Sequence, residues 1–296
     1  MLYGNFYAIK KSLRKSGFNE PLQMLGIMML FILGVVMFPT RRIVEWFYKG
    51  GNDFVFVLAD GLERILFSAL MIRFALQFGF RIIPRKTRII DVLVVLPAFV
   101  IAVNNFPFVS FFSGDCSVTE SAVNAFIFAV WCVGVGLFEE LSFRGVILPL
   151  VLIALRKIDD GKKRWQFLKK RQVFFTLALS SAIFALTHLV NIFNGNIGGT
   201  FLQVGYTFLI GAMCGIITVK TGNVLLSATA HIVYNFCGML IEKCGDGVTW
   251  TLPQIIFTAA VGTVLGVYLI AVAVRSDKDP AAALYMLGED AEPEAE

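Results

Sequence analysis

Eight long apolar runs fill most of this chain and restrict the fold that it can adopt. They lie at about 22–38, 55–80, 89–104, 121–155, 173–190, 201–219, 223–241 and 252–274. A helix that crosses a bilayer needs roughly 20 mostly apolar residues. The chain is 57% hydrophobic and 16% charged, whereas soluble globular chains are about 25% charged. The sequence therefore predicts an all-α, polytopic transmembrane helical bundle of about eight spans.

The two ends of the chain differ from this apolar middle. Residues 1–21 form a basic leader with Lys10, Lys11, Arg14 and Lys15, and we expect it to be cytoplasmic, either solvated or lying on the headgroups as an interfacial helix. Residues 22–274 make up the transmembrane domain. Residues 275–296 carry seven acidic and two basic side chains, so this tail is predicted to be disordered.

The distribution of Lys and Arg predicts the orientation of the chain in the membrane. Basic residues collect in the leader, in the connection at 81–88 and in the segment 156–171, whereas the connections at 104–120 and 191–200 contain none. Cytoplasmic loops are the ones enriched in Lys and Arg. We therefore expect a multi-pass protein of the plasma membrane with both termini cytoplasmic. The net charge of +5 reflects this anchoring and gives no reason to expect nucleic-acid binding.

Ionisable side chains inside the apolar runs point to function. The only two histidines of the chain, His188 and His231, lie in such runs, and Glu139, Glu140 and Arg144 lie in another. Charged groups at membrane depth cost roughly 2.5–3.5 kcal/mol each on insertion scales, so they mark functional sites by default. The chain is therefore expected to catalyse a reaction, or to move a solute, within the bilayer.

Helical spacing groups these side chains further. Glu140 and Arg144 are four residues apart, so they face the same side of a helix and can form an ion pair. Glu139 is rotated about 100° away from Glu140. His231 and Asn235 are also four residues apart, and Gly145 and Pro149 predict a kink just after Arg144.

The three motifs resemble those of a known family. Glu-Glu-x-x-x-Arg at 139–144, Phe-x-x-x-His at 184–188 and His-x-x-x-Asn at 231–235 follow one another on separate apolar runs. This order is similar to that of the CPBP intramembrane proteases, which include CAAX-prenyl endopeptidases and Abi-type bacteriocin-processing or immunity proteins. The resemblance covers the predicted catalytic core at about 121–241.

The resemblance implies an intramembrane endopeptidase. By analogy with the family, Glu139 and His188 would activate a water that attacks a peptide carbonyl, and His231 and Asn235 would stabilise the oxyanion. Glu140 and Arg144 would support the helix that carries Glu139. The implied substrate is a peptide or protein that is membrane-bound or lipidated, and no cofactor is expected.

Other interpretations remain open on the sequence alone. Glu139, His188 and His231 are a ligand set suited to catalytic Zn²⁺, which would make the chain a zinc protease. The same groups could form a proton or ion relay in a transporter, or belong to a peptide-binding scaffold. Membrane histidines can also simply hold helices together. Cys116 and Cys244 lie in loops on the same predicted face, where a disulfide is conceivable.

Overall fold

The computed structural model describes residues 19–83, 87–158 and 163–288 of the chain. These residues are almost entirely helical, which confirms the predicted all-α transmembrane bundle. The predicted basic leader falls outside the described residues, apart from the last three positions, which begin the first helix.

Thirteen α-helices form most of the described part of the chain. In chain order they are α1 Asn19–Val36, α2 Thr40–Phe47, α3 Phe54–Phe78, α4 Ile89–Asn104, α5 Phe108–Phe112, α6 Ala122–Ser142, α7 Leu148–Arg156, α8 Lys163–Lys170, α9 Gln172–Thr187, α10 Ile197–Thr221, α11 Val224–Cys244, α12 Leu252–Arg275 and α13 Ala281–Met286. Two short strands, β1 Cys116–Val118 and β2 Gly245–Gly247, pair antiparallel with Cys116 opposite Gly247.

All eight predicted apolar runs are helical, and six of the described helical segments are long and apolar enough to cross a membrane. The six are Asn19–Phe47, Ala122–Arg156, Gln172–Phe193, Ile197–Thr221, Val224–Cys244 and Leu252–Lys278. The run at 89–104 forms a shorter apolar helix of 16 residues. The helix α3 is 25 residues long but carries four charged side chains. The protein is an integral membrane protein, and its orientation stays a prediction.

Polar residues at the helix ends set the limits of the helices that carry the motifs. The side chain of Ser121 accepts a hydrogen bond from the backbone amide of Asn124 and begins α6. Asn223 does the same for α11 through the amide of Leu226. Gly222, with φ of 65°, ends α10 in a left-handed conformation, which glycine adopts without steric cost. A two-residue turn therefore joins α10 to α11 and holds them side by side.

The predicted kink after Arg144 is a widened helical turn that includes Arg144 itself. Residues Phe143–Ile147 form a π-helical turn between α6 and α7, closed by a bond from the amide of Leu148 to the carbonyl of Phe143. Pro149 has no amide proton to continue the α-helical pattern, so a wider turn satisfies the backbone at lower cost. Such turns are frequent at functional sites.

Two glycines allow α3 and α6 to pack backbone against backbone. A Cβ on Gly134 would collide with the carbonyl oxygen of Gly61, and a Cβ on Gly61 would lie 2.8 Å from the Cα of Trp131. Small residues at such contacts let membrane helices approach closely. The charged face of α3 is thereby placed next to the helix that carries Glu139 and Glu140.

The predicted disorder of the acidic tail is wrong for residues 275–288. Ala283, Met286 and Leu287 are buried, and the amide of Arg81 donates to the carbonyl of Met286 at 2.8 Å. Asp277 accepts a hydrogen bond from the amide of Val173 at 2.8 Å. Apolar residues of the tail pack against the bundle, although the overall composition of the tail is acidic. The rest of the tail lies outside the described residues.

The β1–β2 ribbon joins the loop before α6 to the end of α11. The amides of Thr119 and Glu120 both donate to the carbonyl of Cys244 at 3.0 Å, so the two loops meet on one face as predicted. Cys116 and Cys244 are nevertheless free thiols, like the other three cysteines. Burial raises the pKa of the Cys116 thiol, and the neighbouring Asp115 adds to this effect.

The close contact between α3 and α6 predicts a sensitive glycine. Gly134→Ala should lower the melting temperature, because the added methyl group meets the Gly61 carbonyl and overpacking costs about 1–3 kcal/mol. Gly262→Ala in α12 is the control, since a Cβ there has no neighbour within 4 Å. Thermal unfolding in detergent would measure both, and equal melting temperatures for the two variants would contradict the packing described here.

Candidate active site

The four residues predicted to be catalytic line a single cavity of about 400 Å³. Glu139 reaches it from α6, His188 from the first residue after α9, and His231 and Asn235 from α11. Glu140 and Arg144 do not line the cavity but lie behind it. The structure therefore brings together the three motifs, which are separated by up to 96 positions in the sequence from Glu139 to Asn235.

The carboxylate of Glu140 is the most connected polar group behind the cavity. Its Oε1 accepts hydrogen bonds from Arg144 Nη1 at 2.8 Å and from His231 Nδ1 at 2.8 Å. Its Oε2 accepts from Ser227 Oγ at 2.6 Å. The Glu140 side chain is 0% exposed, so these three donors replace the water that a carboxylate would otherwise bind. The predicted contact between Glu140 and Arg144 is thus present, and Glu140 also fixes His231.

Arg144 and Phe184 connect this carboxylate to the neighbouring helices. Arg144 Nη2 donates to the carbonyl of Gly211 in α10 at 2.6 Å, and its guanidinium lies 4.8 Å from the centroid of the Phe184 ring. The same ring meets His188 edge-on at 5.0 Å and His231 at 5.9 Å between centroids. Phe184, the first residue of the second motif, therefore holds both histidines in place and covers the buried cation.

Glu139 contacts His231 rather than His188. Glu139 Oε2 lies 3.6 Å from His231 Nε2, while the described interactions of His188 are with Phe184. His231 consequently lies between two carboxylates, with Nδ1 bound to Glu140 and Nε2 facing Glu139. Glu139 and His188 could therefore act together, as the family resemblance implies, only through a molecule bound between them in the cavity.

His188 and Asn235 have polar atoms that make no hydrogen bond with the described residues and can bind such a molecule. His188 Nδ1 lies 3.1 Å from the carbonyl of Phe184 and can only donate to that oxygen, so in the neutral ring Nε2 carries the lone pair. The side chain of Asn235 makes no hydrogen bond with the described residues, although it lines the cavity. Both side chains can therefore bind a water or a carbonyl group placed between the helices.

Several residues of the site had not been predicted. Ser227 lies four positions before His231, so the helical spacing that linked His231 to Asn235 could have identified it as well. Asp60, Arg64 and Trp131 also line the cavity. The signal for Asp60 and Arg64 was their charge within an apolar run.

The zinc ligands suggested by the sequence were Glu139, His188 and His231. Among the described residues, a different group of side chains is close enough together to hold a metal ion. The three side chains whose ligand atoms lie within 4.8 Å of one another are Glu140, Cys214 and His231. This cluster does not suit a cation, because Arg144 already places a positive charge 2.8 Å from Glu140. A metal there would also displace the hydrogen bond between Glu140 and His231.

The comparison with family models agrees with the geometry of the site. Residues 121–237 match the model described as type II CAAX prenyl endopeptidase Rce1-like. The chain is similar to this family over these residues, and the matched segment contains all three motifs. The match confirms the resemblance to the CAAX-prenyl endopeptidase group. Neither the comparison with curated proteins nor that with solved structures gave a match.

The buried ion pair between Glu140 and Arg144 predicts a large stability effect. Arg144→Ala should lower the free energy of unfolding by about 3–5 kcal/mol, because it leaves the Glu140 charge buried without its main partner. Arg88→Ala is the matched control: Arg88 binds Asp91 at 2.7 Å, but the Arg88 side chain is 63% exposed, and exposed pairs contribute about 0–1 kcal/mol. Chemical denaturation in detergent would compare them, and a similar loss in both variants would argue against the supporting role of Arg144.

Proposed function

We propose that the chain is an intramembrane endopeptidase that hydrolyses peptide bonds with a water activated by Glu139 and His188. The observation that carries this proposal is the convergence of Glu139, His188, His231 and Asn235 on one cavity within the Rce1-like segment. Its substrates would be peptides or proteins held at the membrane, and lipidated proteins are the class that the family description suggests.

The first step would be the attack of water on the scissile carbonyl. Glu139 is the base: its carboxylate lines the cavity and is 19% exposed, so it can take a proton from a bound water. His188 Nε2, which carries the lone pair, would accept the second hydrogen of that water and orient it. The hydroxide then bonds to the carbonyl carbon, and Glu139 later passes its proton to the leaving amine.

The oxyanion formed in this step would be stabilised from α11. The Asn235 amide has donors that no described residue uses, and it can aim them at the developing charge. His231 can contribute through Nε2 only when both ring nitrogens carry protons, because Nδ1 already donates to Glu140. The Glu140 carboxylate supports that doubly protonated form, which donates at both ends.

We propose that the reaction proceeds without a metal ion. In the cluster of Glu140, Cys214 and His231, the Glu140 carboxylate already binds Arg144 and His231. A zinc ion held by Glu139, His188 and His231 is the alternative, and its chemistry would be the activation of the same water.

Substitution of Glu139 should separate catalysis from folding. Glu139→Gln and His188→Ala should each lower kcat for peptide cleavage by about 10²–10⁴, the range for a lost general base, with melting temperatures close to that of the native protein. Glu242→Gln is the control, since this carboxylate also lines the cavity but is 65% exposed. Cleavage profiling with peptide libraries in liposomes would measure turnover. Retention of more than a tenth of the native rate by Glu139→Gln would refute the assignment.

Asn235 and a chelator together distinguish the two hydrolytic mechanisms. Asn235→Ala should lower kcat by about 10²–10³ with little change in KM, as expected for one oxyanion donor. Asn191→Ala is the control, because Asn191 lines the same cavity but its amide is already bound to Gln203 at 2.8 Å. Activity should survive dialysis against a strong chelator. Loss on chelation with recovery on added zinc would instead establish the zinc mechanism.

A further inference from the structure

The connections between the long helices lie on two opposite faces of the bundle. On one face, the amide of Val224 at the start of α11 donates to the carbonyl of Ile82 at 2.9 Å. The start of α9 and the end of α12 lie on the same face, since Arg171 Nη1 donates to the carbonyl of Val274 at 2.8 Å. We call this side, which carries the connections from α3 to α4 and from α7 to α9, the basic face.

The β1–β2 ribbon lies on the opposite side, where α11 ends and α6 begins. Ser110 Oγ donates to the carbonyl of Thr249 at 2.8 Å, which places the segment before α12 there as well. Asp53, just before α3, and Lys243, near the end of α11, line a common pocket. The start of α3 therefore belongs to this side too. We call it the ribbon face.

The two faces differ strongly in their content of Lys and Arg. The connections at 79–88 and 156–171 on the basic face contain twelve Lys and Arg, whereas those at 37–53, 105–121, 188–196 and 245–251 on the ribbon face contain three. Short loops rich in Lys and Arg stay in the cytoplasm when a membrane protein inserts. The charge distribution therefore assigns the basic face to the cytoplasm and the ribbon face to the outside.

The three basic residues of the ribbon face lie in one segment and do not reverse this assignment. They are Arg41, Arg42 and Lys49. Arg41 forms ion pairs with Glu45 and Asp53, each at 3.1 Å. Two carboxylates of the same segment thus offset part of its charge, and the other three connections of the ribbon face contain no Lys or Arg.

The catalytic cavity extends from the ribbon face into the bundle. Among the residues that line it, Val36 is the last residue of α1, Asn191 follows α9, and Glu242 lies near the end of α11. The Glu242 side chain is 65% exposed. His231 lies 13 positions before the end of α11, or roughly 20 Å at 1.5 Å per residue. The cavity therefore has a polar mouth at the ribbon face and its catalytic groups at the inner end.

Packed side chains close the cavity towards the basic face. Among the described residues that line it, His231 is the one on α11 that lies nearest to that face, and about 10 Å of helix separates it from the start of α11. Leu148, Ile217 and Val224 occupy this layer and are at most 1% exposed. They belong to the largest apolar cluster of the described residues. A peptide or a water molecule would therefore reach Glu139 from the ribbon face.

We propose that the cavity opens to the outside of the plasma membrane and that its substrates are exported peptides or the outer segments of membrane-anchored proteins. This inference rests on the proposed endopeptidase function and identifies the substrate class of that site. Glu242 and Asn191 form the mouth through which the substrate enters. A protein that stays in the cytoplasm would have to cross the packed layer to reach Glu139 and His188.

The first test determines the orientation without measuring activity. Single cysteines are introduced into the full chain as Ser113→Cys and Glu242→Cys on the ribbon face and as Gln166→Cys on the basic face, all at exposed positions. Intact cells are then treated with a maleimide that cannot cross the membrane. The two cysteines of the ribbon face should be labelled, whereas Gln166→Cys should be labelled only after the cells are permeabilised.

The native chain is the control for this labelling. Of its five free thiols, four are buried and Cys237 is half-buried, so its labelling gives the background. Ser113→Cys alone decides the orientation if Glu242→Cys does not fold. The reverse pattern, or labelling of all three variants in intact cells, would overturn the proposal.

The second test locates cleavage. Membrane vesicles of both orientations receive a charged fluorogenic peptide, found by cleavage profiling, that cannot cross a bilayer. Right-side-out vesicles should cleave it, and inside-out vesicles should cleave it only after detergent is added. Vesicles that contain the Glu139→Gln protein give the background rate. Cleavage by sealed inside-out vesicles alone would overturn the proposal.

Blocking the mouth connects the two measurements. Reaction of Glu242→Cys with a bulky impermeant maleimide from outside should abolish cleavage, whereas the same reaction at Ser113→Cys, which does not line the cavity, should leave it unchanged. Full activity of the labelled Glu242→Cys protein would overturn the entry path. Absence of cleavage in every preparation, even in detergent, would instead overturn the endopeptidase function, and the labelling pattern would still decide which face is outside.

Discussion

The buried carboxylate of Glu140 is the group on which the arrangement of the site depends. A carboxylate at this depth is stable only when donors replace its hydration. Arg144, His231 and Ser227 supply those donors at 2.8, 2.8 and 2.6 Å. Arg144 follows on the same polypeptide segment, whereas Ser227 and His231 both lie on α11. The need to satisfy one charge therefore fixes the position of α11 against α6, and with it the orientation of His231.

The same requirement extends through Arg144 to the rest of the bundle. The second end of its guanidinium binds the Gly211 carbonyl of α10, and its face is covered by Phe184 of α9. Phe184 in turn packs against both histidines. A catalytic group is effective when its neighbours fix its geometry before the substrate arrives. Here one ion pair and one aromatic ring determine how four helices present their side chains to the cavity.

Part of this site could be predicted from the sequence because it depends on helical spacing. Residues four apart share a face, so Glu140 with Arg144, and His231 with Asn235, were identified correctly as neighbours. The contact of Arg144 with the Gly211 carbonyl could not be predicted, since it depends on how α10 packs and not on any side chain of Gly211. The order of the tail was missed for a different reason: acidic residues dominate its composition, whereas Ala283 and Met286 determine its packing.

The charges of α3 show how a weak sequence signal becomes informative once packing is known. Charged residues in a membrane helix are tolerated when they face the protein interior or a polar cavity. Asp60 and Arg64 line the cavity, and Glu63 accepts a hydrogen bond from Thr40, so three of the four charges of α3 are accommodated within the protein. The helix is therefore a wall of the site. The polar lining of the cavity thus extends beyond the residues that match the family model, onto a helix that carries none of the three motifs.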